Sequence, residues 1–217
     1  MKKLFFLSVI FLVSQFTIHA QNTRFGFTAG SVFANYNSKV DGENDNGNSK
    51  TGITAGVMVD IPVSKQFSFQ PAINFVQKGS KDEQTLGGVT ETVSVNINSI
   101  EVPLNFLYNA VSNSGSFFIG AGPSFAFALS GKFKYSDGSN SLSEDIKFGN
   151  GDDDDIKGMD PGANFLAGYS FKSGLLFSVN YNAGLTNLSP GSSSDETLKS
   201  HYFGIKLGYF LKGKGKN

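Results

Sequence analysis

The stretch GSFFIGAGPSFAFAL, residues 115–129, alternates over its whole length. Taken every second residue, Phe117, Ile119, Ala121, Pro123, Phe125, Phe127 and Leu129 are all apolar, whereas Phe118, Gly120, Gly122, Ser124, Ala126 and Ala128 between them are mostly small. Side chains alternate faces along a β-strand, so one face is greasy throughout and the other leaves room for close packing. In a soluble sandwich the greasy face would meet a second sheet. At about 3.4 Å per residue and a tilt of about 45°, a strand of this length crosses the hydrocarbon of a bilayer. The same pattern recurs along the chain. The reading is a membrane-spanning strand whose small face lines a narrow barrel.

Composition agrees. The 217 residues include 22 Phe and 26 Gly, with no Cys and no Trp. Phe suits the outside of such strands and Gly their close approach. Without cysteine there are no disulfides, no thiolate metal sites and no lipidated N-terminal Cys. The formal charge of zero implies no polyanion partner, and so no nucleic acid. Residues 1–20 read as a secretory signal peptide: Lys2 and Lys3, an apolar run over 4–13, and Ala20 before the cut. That run is too short to span a membrane as a helix. Its removal leaves sixteen basic against 18 acidic residues, a formal charge of −2. The expected domains are the signal peptide 1–20 and a barrel domain 21–217, of which 210–217 is a short basic periplasmic tail.

Segments of about ten residues alternate along the mature chain between turn-rich stretches, the signature of an outer-membrane barrel. The pattern predicts strands over 24–36, 52–62, 67–78, 92–108, 115–129, 162–171, 175–185 and 199–210. The phase blurs at Gly30–Ser31 and switches between Ile97 and Ile100, where a bulge near Asn98–Ser99, or projection beyond the membrane, accounts for the change. Connections alternate long and short: 37–50, 64–66, 79–90, 109–114, 130–159, 172–174 and 186–197. The expected fold is therefore all-β: an eight-stranded antiparallel up-and-down transmembrane β-barrel with long extracellular loops, short periplasmic turns and both termini in the periplasm.

Certain residues also look familiar. They are Asp60-Ile61-Pro62, Gln70-Pro71, Gln77-Lys78-Gly79, Ile100-Glu101-Val102-Pro103-Leu104 and Gly120-Ala121-Gly122-Pro123. Tyr181 with Gly184-Leu185-Thr186-Asn187, and Leu207-Gly208-Tyr209-Phe210, complete the set. In this order the chain resembles the PorT-like outer-membrane barrel (porin-family) proteins of Gram-negative bacteria over essentially its whole mature length. Two positions depart from that family: Asn180 stands where Arg is frequent, and Phe210 is followed by a lysine-rich tail instead of ending the chain. The resemblance implies a fold and a membrane but no ligand.

Inward-facing polar residues form the candidate site. Asp60, Gln70, Lys78, Glu101, Asn180 and Lys206 are its core, with Asn74, Asn105, Asn164 and Asn182 beside them. An eight-stranded barrel is just wide enough for its own side chains to fill, so the expectation is a polar plug, not a conduction path. Lys78 or Lys206 would then compensate Asp60 or Glu101. The acidic run 152–155, with Glu144, Asp145 and Asp160 nearby, and the segment 41–47 echo calcium-binding loops incompletely; they read as solvated loops, with no metal or cofactor assigned. The histidine His201 beside Ser200 reads as a rim residue, because neighbours on a strand point to opposite faces, and no enzyme is expected. The expected role is structural or interactive, carried by loops 130–159 and 37–50, with outer-membrane lipid and extracellular or periplasmic proteins as partners. A narrow pore or secretion-apparatus component is the alternative, and a lipid-modifying enzyme or a soluble periplasmic barrel stands behind it.

Overall fold

In the computed structural model the described residues are 23–40, 43–86, 89–138, 140–151, 153–190 and 196–211. The expected signal peptide 1–20 and most of the basic tail lie outside them. Among the described residues ten strands form: β1 Arg24–Val40, β2 Glu43–Asn46, β3 Asn48–Pro62, β4 Phe67–Leu86, β5 Val89–Val111, β6 Gly115–Ser136, β7 Ser141–Asp145, β8 Met159–Phe171, β9 Leu175–Gly184 and β10 Glu196–Phe210. Antiparallel pairing runs from β1 through β3, β4, β5, β6, β8 and β9 to β10. β10 then pairs back onto β1, from Gly26↔Phe210 to Val40↔Glu196. The sheet is thus a barrel. β2 and β7 are short flaps on β1 and β6.

The alternation settles which way each face points. Along β6, Phe117, Ile119, Phe127 and Leu129 are 49%, 49%, 44% and 60% exposed, while Phe118, Ser124 and Ala126 are buried. The same split holds for Phe25 and Phe27 on β1, Ile53 and Val57 on β3, Phe177 on β9 and Leu207 on β10, all exposed. So many large apolar side chains on one continuous surface would be untenable in water. Inside, strands come close where side chains vanish: a Cβ on Gly122 would run into the Leu104 carbonyl oxygen.

This apolar surface is a band with distinct edges. At the short-turn end, aromatic pairs ring it: Phe67 with Tyr108, Tyr169 with Phe171, and Phe27 with Tyr209, at centroid distances of 5.5, 4.8 and 6.1 Å. Such belts sit at membrane interfaces. At the other end the last apolar row across β4, β5 and β6 is Phe75–Ile100–Phe127. Directly above it Gln77 donates to Asn98 (3.2 Å) and Asn98 to Ser130 (3.1 Å). From Tyr108 to Asn98, at about 3.4 Å per residue and a tilt of about 40°, β5 climbs about 25 Å, the height of a lipid-facing barrel wall.

Three short connections join the strands at the short-turn end, with the expected 109–114 narrowed to 112–114 because β5 runs on to Val111. At 63–66 the Ser64 hydroxyl accepts from the amides of Gln66 and Phe67, and at 172–174 Gly174 adopts φ 99°, which its missing Cβ permits. Of the expected long loops, 37–50 and 79–90 are mostly strand, 130–159 is strand over 130–136 and 141–145, and the described part of 186–197 is strand only from Glu196. β4 and β5 stay paired up to Leu86↔Val89, β6 runs on to Ser136, and β7 folds back on it. Above the membrane a ladder needs no apolar alternation, so its polar sequence looked like loop.

The expected irregularities are relocated too. β1 keeps an unbroken register with both neighbours, so no bulge lies at Gly30–Ser31. A register shift does fall at Asn98/Ser99, but pairing passes from Asn98↔Ser130 to Ser99↔Ala128, leaving Leu129 of β6 as the extra residue. On β5 Ile97, Ser99, Glu101, Asn105 and Leu107 are all buried on the same parity. The apparent phase switch marks a change in what the interior contains, not in side-chain direction.

Val57 lies near the middle of the apolar band and is 59% exposed. Val57→Arg is expected to lower stability by about 2–4 kcal/mol, measured by urea titration of protein folded into phosphatidylcholine vesicles. An unchanged midpoint would mean that this face does not touch acyl chains.

Candidate functional site in the barrel interior

The interior is filled in three layers. Nearest the short turns, Met58, Leu107, Phe118, Leu176 and Phe210 form a buried apolar plug backed by Ala72 and Leu166. At the opposite end Tyr36, Ile97, Ile146, Ile156 and Leu188 form a second, with Phe133 and Phe148 against it. Ile146 and Ile156 come from the segment between β7 and β8, which folds over the barrel mouth. That cap is braced locally: Phe148 bridges to Ile156, Asp155 accepts from the Lys147 amide and Asp154 from the Gly151 amide, each at 2.8 Å. Asp154 and Asp155 of the acidic run thus serve their own turn; Asp152 lies outside the described residues, and among those described no group of three or more ligand side chains gathers.

Between the plugs lies the polar layer, and Lys78 is its hub. Its Nζ is 3.0 Å from Asp160 Oδ2 and 3.8 Å from Glu101 Oε2, and it sits 5.5 Å from the Tyr202 ring centroid. Tyr202 donates its hydroxyl to Glu101 Oε1 at 2.6 Å, and Ser200 donates to Asp160 Oδ2. Beside this, Asn180 donates to Asn164 (3.0 Å) and Asn164 to Asn105 (2.9 Å), while Asn182 donates to Ser124 (2.7 Å). Glu101 is 1% exposed and Lys78 3%. Charges so buried persist only when paired and hydrogen-bonded.

The six residues singled out in the sequence therefore divide. Lys78 and Glu101 meet, and Gln70, Glu101, Asn180 and Lys206 line one cavity of about 40 Å³, room for one or two waters. Lys206 makes no ion pair within 4.0 Å among the described residues. Asp60 stands apart at the short-turn mouth, where Arg24 binds its Oδ2 through Nη2 (2.6 Å) and Nε (3.2 Å) while stacking 4.2 Å over Phe210. Neither Lys78 nor Lys206 compensates it. Asp160 is the residue that sequence reasoning assigned elsewhere. Adjacent in sequence to the acidic loop, it shares the inward parity of Gly162 and Asn164 and reaches Lys78. Ser200 is buried and inward, whereas His201 turns outward toward the Tyr181 ring, 6.4 Å away.

An antiparallel β-barrel fold is shared with known outer-membrane proteins. The family described as outer membrane protein beta-barrel domain matches residues 19–189. The chain belongs to that family. It is accordingly an outer-membrane protein. Among solved structures it is similar to the outer membrane protein OprG from Pseudomonas aeruginosa, with 12% identity over 89% of this chain and 98% of that one and a TM-score of 0.47. It is also similar to Ail, the attachment invasion locus protein of Yersinia pestis, solved in complex with the heparin analogue sucrose octasulfate, with 14% identity over 87% and 99% and a TM-score of 0.41. No curated protein matches.

Lys78→Met is expected to cost about 3–5 kcal/mol, because it strands two buried carboxylates. The triple variant Lys78→Met, Glu101→Gln, Asp160→Asn is expected to recover most of that loss. Urea unfolding in vesicles reads both; a triple variant no more stable than the single one would show that Lys78 is not the hub.

Proposed function

We propose that this outer-membrane protein is a non-conducting, eight-stranded transmembrane barrel whose role is structural or interactive, exercised by the hairpins that stand above the membrane. The observation that carries this is the filled interior: two apolar plugs enclose a charge-balanced polar layer, with cavities of only about 40 and 20 Å³ between them. A hydrated ion does not pass an apolar constriction of packed Phe, Leu and Met side chains. The partners fitting this reading are lipid around the wall and extracellular or periplasmic protein at the ends, with no nucleic acid. No catalytic role is assigned, because Ser200 and His201 face opposite sides of β10 and among the described residues no acid orients the imidazole.

One set of observations favours a second reading, a narrow pore or a secretion-apparatus component of the PorT-like kind. Glu101 Oε2, Asp160 Oδ1 and Asn180 Oδ1 have no hydrogen-bond partner among the described groups. Acceptors of this sort beside water-sized cavities suit a hydrated path. Against it stand the plugs, which cover both ends of the polar layer.

Planar-bilayer recordings of pure refolded protein are expected to show no unitary currents above the bare membrane. Reproducible steps of fixed conductance would replace the first reading with the second.

A further inference from the structure

Above the apolar band, the outward face of β3 to β6 is basic. Cross-strand register stacks two rows there: Gly79–Asn96–Lys132, then Lys81–Ser94–Lys134. Their direction follows from their neighbours, since Val95, Ile97 and Phe133 of the opposite parity pack into the interior cap. Lys50 joins them. Between Ser49↔Ser80 and Thr54↔Val76 β3 advances five residues while β4 advances four, and at this slip the Lys50 side chain runs across the β4 backbone at Gly79. Its Cδ then lies 3.0 Å from where a Cβ on Gly79 would stand. Gly79 is thus a flat floor beneath the lysine stem.

Four lysines share this patch, against two carboxylates: Glu83 on Lys81 at 2.5 Å and Asp145 on Lys132 at 2.7 Å. Lys50 and Lys134 have no ion pair among the described residues. Burial, followed by the ammonium groups of Lys134 and Lys81, holds Lys50 below the usual lysine value. Like charges held together in this way are relieved by an anion.

The base of the patch says what kind of anion. Directly beneath it are the hydrogen-bonded row Gln77–Asn98–Ser130 and then the wall of Phe75, Ile100 and Phe127. An occupant therefore meets ammonium groups, then amide and hydroxyl groups, then hydrocarbon, in the order phosphate, sugar or glycerol, acyl chain. We infer that the outward face of β3–β6 at this level is a docking site for a phosphate-bearing lipid of the surrounding leaflet. Lysines near a membrane surface each add to the binding of anionic lipid, and four on one rigid sheet fix where the phosphates sit. The inference rests on the membrane-spanning barrel but is independent of whether the interior conducts.

The test uses the detergent-solubilised full chain and the variant Lys50→Gln, Lys134→Gln, which breaks no ion pair. Native mass spectrometry reads adducts with bisphosphorylated lipid A, the same lipid dephosphorylated, phosphatidylcholine, and inorganic phosphate. The bisphosphorylated lipid is expected to be retained by the parent about tenfold better than its dephosphorylated form, and the variant to lose about that factor. Inorganic phosphate at the same concentration is expected to give no adduct. Equal retention of both lipid forms, or undiminished binding by the variant, would overturn the site. Inorganic phosphate binding as well as the lipid would mean an anion site with no lipid role, which also overturns it. Failure to retain any lipid, phosphatidylcholine included, would overturn the membrane-spanning barrel and the site with it.

Discussion

The seam between β10 and β1 is the contact on which everything else depends. In hydrocarbon no water can satisfy a free backbone N–H or C=O, and each one left open costs several kcal/mol. An open sheet with the same strands would present two such edges to lipid. Pairing from Gly26↔Phe210 to Val40↔Glu196 removes both at once. Only with that ladder closed can Phe25, Phe27, Phe203 and Leu207 face outward in comfort, because the hydrogen-bonding groups behind them are already spent.

Closure creates the second constraint, an interior that must be filled. A narrow barrel has no room for bulk water, and any ionisable group within it must find its counterpart among side chains from other strands. Lys78 on β4 answers Glu101 on β5 and Asp160 on β8, and Tyr202 and Ser200 on β10 complete the shell. Four strands are thereby pinned by one ammonium group. Arg24 and Asp60 repeat the arrangement on a smaller scale at the mouth, joining β1 to β3 at the start of the seam.

The sequence announced the wall better than the contents. Alternation located the strands crossing the membrane and the sense of their faces, as on β6 where Phe117, Ile119, Phe127 and Leu129 point outward. It failed above the membrane, where β4 and β5 remain paired through polar residues such as Gln84↔Glu91. There both faces meet water, so hydrophobic period carries no information. At 93–97 the change of phase goes with projection beyond the apolar band, one of the two causes expected for it: Ile97 is apolar because it supports a cap. Pairings across the interior were not legible, because which residue opposes Lys78 depends on the stagger of strands far apart in the chain. Asp160 was nonetheless within reach: Gly162 and Asn164, at the same parity, both read as inward. Its proximity to the acidic run drew it to the wrong group.

The strands differ greatly in length: β5 has 23 residues and β9 has 10. Starting from the same short-turn level, β5 rises on the order of 30 Å higher than β9. The molecule consequently has a parapet on one flank and a low shoulder on the other. At that end of the barrel β4, β5 and β6 stand well above β8 and β9, so the molecule presents itself with a front and a back.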